Sequence, residues 1–227
     1  MPRVFVHLHV HSHWSLLAGA WPPVEIARAA AVAGAPAVAL TDTDGLYGAV
    51  EFARACEAAG VRPIVGAELT EPGGAWRAVF LVRDEGGYRE LCRLVSARHL
   101  EEGFSLRRAV AERSDRLAVL VRDHRLLEAA VAAGKREGTY AEVRPPPDGS
   151  DPTSAAERAL RRETLAWAAR LRIPPLATTG AWYGTPASRR AHQVLRAIGL
   201  NTTLTALERR AEEGGREPGD LETGPFA

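Results

Sequence analysis

Four histidines recur at every second position near the start of the chain: His7, His9, His11 and His13, separated by Leu8, Val10 and Ser12. Alternate side chains of a strand point to opposite faces, so as a strand this stretch sets imidazoles against an apolar side. Neutral imidazole is the commonest protein metal ligand, and two at this spacing can grip one ion from one side. A merely solvated face would mix Thr, Lys, Glu and Ser. The repetition points to a metal site in origin. His7 reads better as a hydrogen-bonded inward side chain than as a ligand, and His13 as an exposed one.

Further polar residues end predicted strands: Asp42–Asp44, Glu68 and Asp123-His124. Asp42 suits a structural acceptor for loop N–H groups. The fragment Asp42-x-Asp44-Gly45 lacks the third acid and the distal Glu of a calcium loop. Asp123-His124 has no nucleophile elbow or adjacent serine motif to make it catalytic, and Asp123 reads as a helix cap. The five tryptophans are scattered rather than set out as a base-stacking platform. Arg158, Arg161, Arg162 and Arg170 repeat at helical spacing as a solvated face.

The elements that must carry these groups alternate. Strands are predicted over 4–10, 35–41, 63–69, 75–83, 116–121, 139–143 and 175–179. Helices are predicted over 23–33, 46–59, 88–100, 105–112, 124–133, 151–171 and 186–198, several closed by glycine or opened by proline. Short, nearly continuous apolar strands alternating with helices imply an α/β fold with parallel strands buried on both faces. No glycine-rich phosphate loop follows the first strand, as a dinucleotide fold would need. Polar residues gather at strand carboxyl ends, where β/α barrels carry their sites. The expected architecture is a distorted seven-stranded β/α barrel over residues 1–200, with 201–227 a polar, linker-like tail.

Composition bounds the function. A length of 227 residues can bury a sizeable core, and a net charge of +1 advertises no general nucleic-acid affinity. Cys56 and Cys92 sit in predicted helices without C-x-x-C spacing, as reduced thiols of a cytoplasmic protein. No apolar run is long enough for a membrane span, and no signal peptide is evident.

The runs FVHLHVHSHWSLLAGA, ALTDTDGLYGAVEFARACEAAGVRPIVGAEL, VFLVRDEGGYRELCRLVS and PPLATTGAWYGTPASRRAHQVLRAIGLNTTL occur in order. Together they resemble the PHP (polymerase and histidinol phosphatase) domain that begins bacterial C-family polymerases, the DNA polymerase III alpha subunits and their error-prone relatives. The likeness spans about residues 3 to 204 and implies a seven-stranded β/α barrel. Active members of the family hold up to three metal ions at the barrel mouth. Multi-metal hydrolysis needs many His and carboxylate donors to polarise the phosphate and activate water.

The resemblance implies metal ligands at His9 and His11 of an H-x-H-S motif and at Glu68 of G-x-E. His7, Asp42 and Asp123 are secondary candidates. Elsewhere the pattern fails: Ala18 replaces an acid or His, Thr43 a His, Arg77 a His, and Gly180 and Trp182 an Asp and a His. The expectation is a vestigial centre with no metal or one zinc, since two His and one carboxylate form a known zinc set. No catalytic residue is then expected, and the role is structural or interactive, in DNA replication or repair. The partners implied are polymerase core domains or a polymerase partner protein, with DNA contacted only indirectly. An arginine is expected beside Glu68, neutralising it where a cation once sat. The competing expectations are a metal-dependent phosphoesterase or 3′–5′ exonuclease using residual ligands, and a stand-alone polymerase-binding accessory protein.

Overall fold

The computed structural model describes residues 5–74, 76–144 and 155–212. Six strands form one sheet in the order β1 (Ala37–Leu40), β2 (Arg62–Thr70), β3 (Arg77–Val82), β4 (Leu117–Val121), β5 (Thr139–Val143) and β6 (Pro175–Ala177). The helices are α1 (Pro23–Val32), α2 (Ala49–Ala59), α3 (Glu85–Leu100), α4 (Leu106–Glu112), α5 (His124–Ala132), α6 (Ala155–Leu171), α7 (Pro186–Gly199) and α8 (Leu204–Glu212). Residue 75 and the first four residues of the predicted α6 lie outside the described residues. So do Met1–Val4 and residues 213–227 of the predicted tail, whose nearer part contains α8. No described helix is long and apolar enough to cross a membrane.

Local chemistry sets the helix starts. Asp84, Ser105, Asp123 and Thr185 each accept a backbone N–H of the first turn of α3, α4, α5 and α7, satisfying a donor that the helix itself leaves open. Helix α2 ends at Gly60, whose φ of 70° is left-handed and favours glycine.

Two expectations are corrected. The sheet is mixed: β3 runs antiparallel to both β2 and β4, whereas the other pairs are parallel. The reason is the short Pro72-Gly73-Gly74 connection, which can close a hairpin but cannot hold the crossover a parallel pair needs. The predicted first strand is also not a regular strand. Val10 alone pairs, in a parallel bridge to Ala181. Ala39 N donates to His7 O, and Thr41 N donates to Val10 O. The step of two from Ala39 to Thr41 thus stands against a step of three from His7 to Val10, a bulge-like mismatch that breaks the ladder. The segment still spans the gap between the sheet's two edges. On its other side Ala181 N donates to His9 O and His11 N donates to Ala181 O.

The curled sheet therefore has an outer and an inner face. Outward side chains such as Ala78, Phe80, Val119 and Val121 pack with Leu91, Leu106, Leu126 and Leu127 of the helices. Val38 and Leu40 meet Ile26, Phe52 and Cys56 of α1 and α2. Inward, Ala39, Val79, Leu81 and Leu120 form an apolar plug with Leu8, Ile64, Tyr140 and Leu176. Each large side chain fully buried this way contributes about 1.5–3 kcal/mol. Continuing the same alternation toward the mouth brings Glu68, Arg77 and Glu142 inward, above the plug. A charged layer thus sits on a dry one.

Candidate metal centre

His9 and His11 are completely buried, and Glu68 nearly so. His9 Nε2 lies 2.9 Å from His11 Nε2 and 3.5 Å from Glu68 Oε1. His11 Nε2 lies 3.9 Å from Glu68 Oε2. These three residues are the only group of three or more potential ligands among the described residues, with donor atoms all within 4.8 Å of one another. That spread suits three donors around one zinc, each at about 2.0–2.2 Å.

The outward nitrogens of both rings are already engaged. His9 Nδ1 donates to Glu142 Oε1 at 2.6 Å. Ser15 Oγ spends its proton on Asp42 Oδ1 at 2.7 Å, so at 3.0 Å it accepts from His11 Nδ1. A carboxylate or hydroxyl behind each histidine is the usual support of a metal ligand, fixing tautomer and orientation. Both Nε2 lone pairs then face each other. Two neutral rings would repel at that distance, so a positive charge belongs between them: a proton or a metal ion.

Without an ion, the charges balance through protein groups. Burial pulls the His9 pKa down, but Glu142 outweighs it against the opposing Arg144, and the net direction is up. Burial holds His11 well below its ordinary value. For Glu68, burial pushes the pKa up, yet Arg77 followed by the histidines brings it well below the usual carboxylate range. Glu142 follows the same pattern, with Arg144 and then His9 opposing burial. Arg77 Nη1 donates to Glu68 Oε2 at 2.7 Å, which meets the expectation of an arginine beside that acid. The hairpin makes this possible: β3 starts beside the end of β2, with Thr70 paired to Arg77 and Glu68 to Val79.

Sequence reasoning missed Glu142 and Arg144. Arg144 Nε and Nη2 approach the two Glu142 oxygens at 3.3 Å each, and Thr178 Oγ1 also donates to Glu142. The available signal was an acid in the apolar strand TYAEV and an arginine two residues on, just past its end, at positions that alternation puts on one face.

The secondary candidates stand apart from the three donors. His7 Nδ1 meets Thr179 Oγ1 at 3.0 Å, and burial lowers its pKa to about 4. Asp42 accepts from Ser12 N at 2.6 Å and from the hydroxyls of Ser12 and Ser15 at 2.7 Å each. Burial pushes its pKa up, against those hydrogen bonds. Asp123 caps α5, accepting from Arg125 N at 2.8 Å.

The positions where the resemblance implies lost ligands are filled by other contacts. Thr43 Oγ1 lies 3.4 Å from Glu68 Oε2. Ala18 packs with Trp182 and Tyr183, and Trp182 lies flat on His11, ring centroids 3.5 Å apart and planes 3° apart. Gly180 faces the Arg144 guanidinium. The donor set His9, His11 and Glu68 therefore fits one ion.

Comparison with known proteins agrees in lineage. The family profile described as "PHP domain" matches residues 7–164. The error-prone DNA polymerase of Symbiobacterium thermophilum is 48% identical over 96 residues, 42% of this chain and 9% of that protein. That of Anaeromyxobacter sp. strain K is 39% identical over 169 residues, 73% of this chain and 14% of that protein. The DNA polymerase III subunit alpha of Treponema pallidum is 37% identical over 110 residues, 43% of this chain and 9% of that protein. The chain thus spans only a small fraction of these relatives' length. Among solved structures, a putative metal-dependent phosphoesterase from Bifidobacterium adolescentis aligns over 86% of this chain and 97% of its own, at 16% identity and a TM-score of 0.43.

Proposed function

The chain belongs to the PHP domain family, and we propose that it serves a C-family DNA polymerase, of the error-prone type, as a structural module without hydrolytic activity. One observation carries this reading. Each carboxylate beside the histidines has its own guanidinium, Arg77 on Glu68 and Arg144 on Glu142. A hydrolytic cluster works because its cations polarise the phosphate and generate a nucleophilic water. Arginine can neutralise an acid, but it keeps its proton and cannot activate water in that way. Losing supporting groups alone weakens metal binding about 10–100-fold, and here ligands themselves are replaced.

His9, His11 and Glu68 would hold a single zinc. Bound there, zinc would supply Lewis-acid polarisation and a water of lowered pKa. Glu142 would orient His9 and Ser15 would orient His11, while Arg77 competes for one oxygen of Glu68. In the absence of an ion, Arg77 and Arg144 balance the charge of Glu68 and Glu142.

A module of this kind needs a surface for its polymerase. Exposed Leu16, Leu17, Val50 and Ile198 come from the loop after the first motif, from α2 and from α7. Relatives many times longer support a neighbouring domain as the partner that would cover such groups.

The second reading, a phosphoesterase or exonuclease, draws support from the preformed triplet and the acid behind His9. The discriminating assay is hydrolysis of a generic phosphomonoester and of end-labelled single-stranded DNA, with zinc or manganese added. The expected rate matches that of His9→Ala. Metal-dependent turnover that His9→Ala abolishes would overturn the structural reading.

A further inference from the structure

We propose that Arg144 is the cation built into this mouth, occupying the room left by Gly180 and the carboxylate of Glu142 that a divalent ion would otherwise draw on. The inference rests on the reading above that the centre is no longer a hydrolytic cluster, and it assigns the cause to one residue.

The geometry is specific. A Cβ at position 180 would lie 2.7 Å from Arg144 Cζ, 2.8 Å from Nη1 and 2.9 Å from Nε. All three distances are too short for any side chain there while the guanidinium stays in place. The guanidinium is not free to swing aside, because its side chain is only 6% exposed and both its Nε and Nη2 face Glu142. Its Nη2 also lies 3.1 Å from His9 Nδ1, so it borders the His9 ring on the side that Glu142 supports, opposite the metal-facing Nε2. Gly180 sits at φ 59°, so glycine is favoured by the backbone as well as by the space.

The charge argument follows. Glu142 is the acid that aligns His9, and a carboxylate buried this deeply must be paired. The resemblance places an acid at 180, whereas this chain has none. The absent acid and the Arg144 guanidinium together supply the positive charge that a divalent ion would bring. Arg144 accordingly makes the fold independent of metal and opposes any divalent ion that approaches His9, His11 and Glu68. Without Arg144, Glu142 loses its directly bonded guanidinium and keeps His9 and the field of Arg122 against burial, so an incoming ion becomes a favoured partner.

Zinc titration of the 227-residue chain tests this, read by calorimetry with a competing chelator and by Tm with and without zinc. Arg144→Met should bind zinc roughly tenfold or more tightly than wild type. It should also gain more Tm on zinc addition, because a ligand that binds only the folded state stabilises it. Adding His9→Ala to Arg144→Met should remove both gains. A folded Arg144→Met that binds zinc no more tightly than wild type overturns the proposal. Should that variant not fold, Arg144→Lys keeps the charge but loses the planar fork that reaches both oxygens of Glu142. A smaller gain in the same direction is then expected, and no gain overturns the proposal equally. Hydrolysis by the wild-type chain would sink the structural reading of the domain. An unchanged zinc affinity on removal of Arg144 would sink this inference alone.

Discussion

Replacing Arg77 by methionine removes the strongest partner of Glu68 while keeping most of the side chain's apolar bulk. The ion pair is 2.7 Å long and its acid end is 3% exposed. Beyond it, the Glu68 carboxylate has a threonine hydroxyl at 3.4 Å, His9 Nε2 at 3.5 Å and His11 Nε2 at 3.9 Å. Removing one partner of a buried pair costs about 3–5 kcal/mol. Because the Arg77 side chain is 31% exposed, water screens part of the interaction, and about 2–3 kcal/mol is the expected loss. For a chain of this size that corresponds to a fall in Tm of roughly 4–12 °C.

Urea unfolding at neutral pH of wild type, Arg77→Met, Glu68→Gln and the double variant closes a cycle. The expected coupling is about 2 kcal/mol, since the double variant leaves no orphaned charge. The sign with pH also follows. The folded-state pKa of Glu68 lies well below 4.5, so its contribution is complete above the unfolded value and is lost as pH falls through the folded one. Without Arg77, burial is opposed less and Glu68 protonates at higher pH. The gap between wild type and Arg77→Met should therefore be widest at neutral pH and narrow on acidification. A coupling under about 0.5 kcal/mol, the level expected of independent sites, would refute the claim that this guanidinium replaces a cation.

Three further outcomes are expected. The folded-state pKa of His7 is about 4, below its ordinary 6.5, so the unfolded chain takes up the proton first and stability falls as pH drops across that window. His7→Gln should flatten the acid limb of the stability curve by up to about 3 kcal/mol, and a curve that overlays wild type would contradict this. Asp42→Ala strands Ser12 N–H and two serine hydroxyls. It should cost about 2–4 kcal/mol and speed hydrogen exchange at the Ser12 amide, whereas an unchanged exchange rate would show that the loop is held otherwise. Asp123→Ala should lose about 1 kcal/mol as a lost cap and leave zinc binding unaltered; weaker zinc binding would make Asp123 a ligand.

Elements built from local signals were legible in the sequence. The cap at Asp123, the stop at Gly60 and the apolar runs of β3 and β4 depend on neighbours in the chain, and the predicted bounds fall within a few residues of the observed ones. Glu68, His9 and His11 were legible for another reason, since the motifs that mark the PHP domain contain them. Glu142 and Arg144 carried no such motif. An acid and an arginine in a strand look like any solvated pair until the sheet curls and turns them inward.

The sequence by itself determined the alternation of strands and helices, the lineage and the three converging donors, because residue type and spacing along the chain encode each of these. Tertiary structure alone decided that the first segment bulges instead of laddering and that Arg144 answers Glu142. Those outcomes depend on register and on distances between residues far apart in the chain. Arg144 and His9 are separated by 135 positions, and only the closing of the sheet brings their charges within reach of each other.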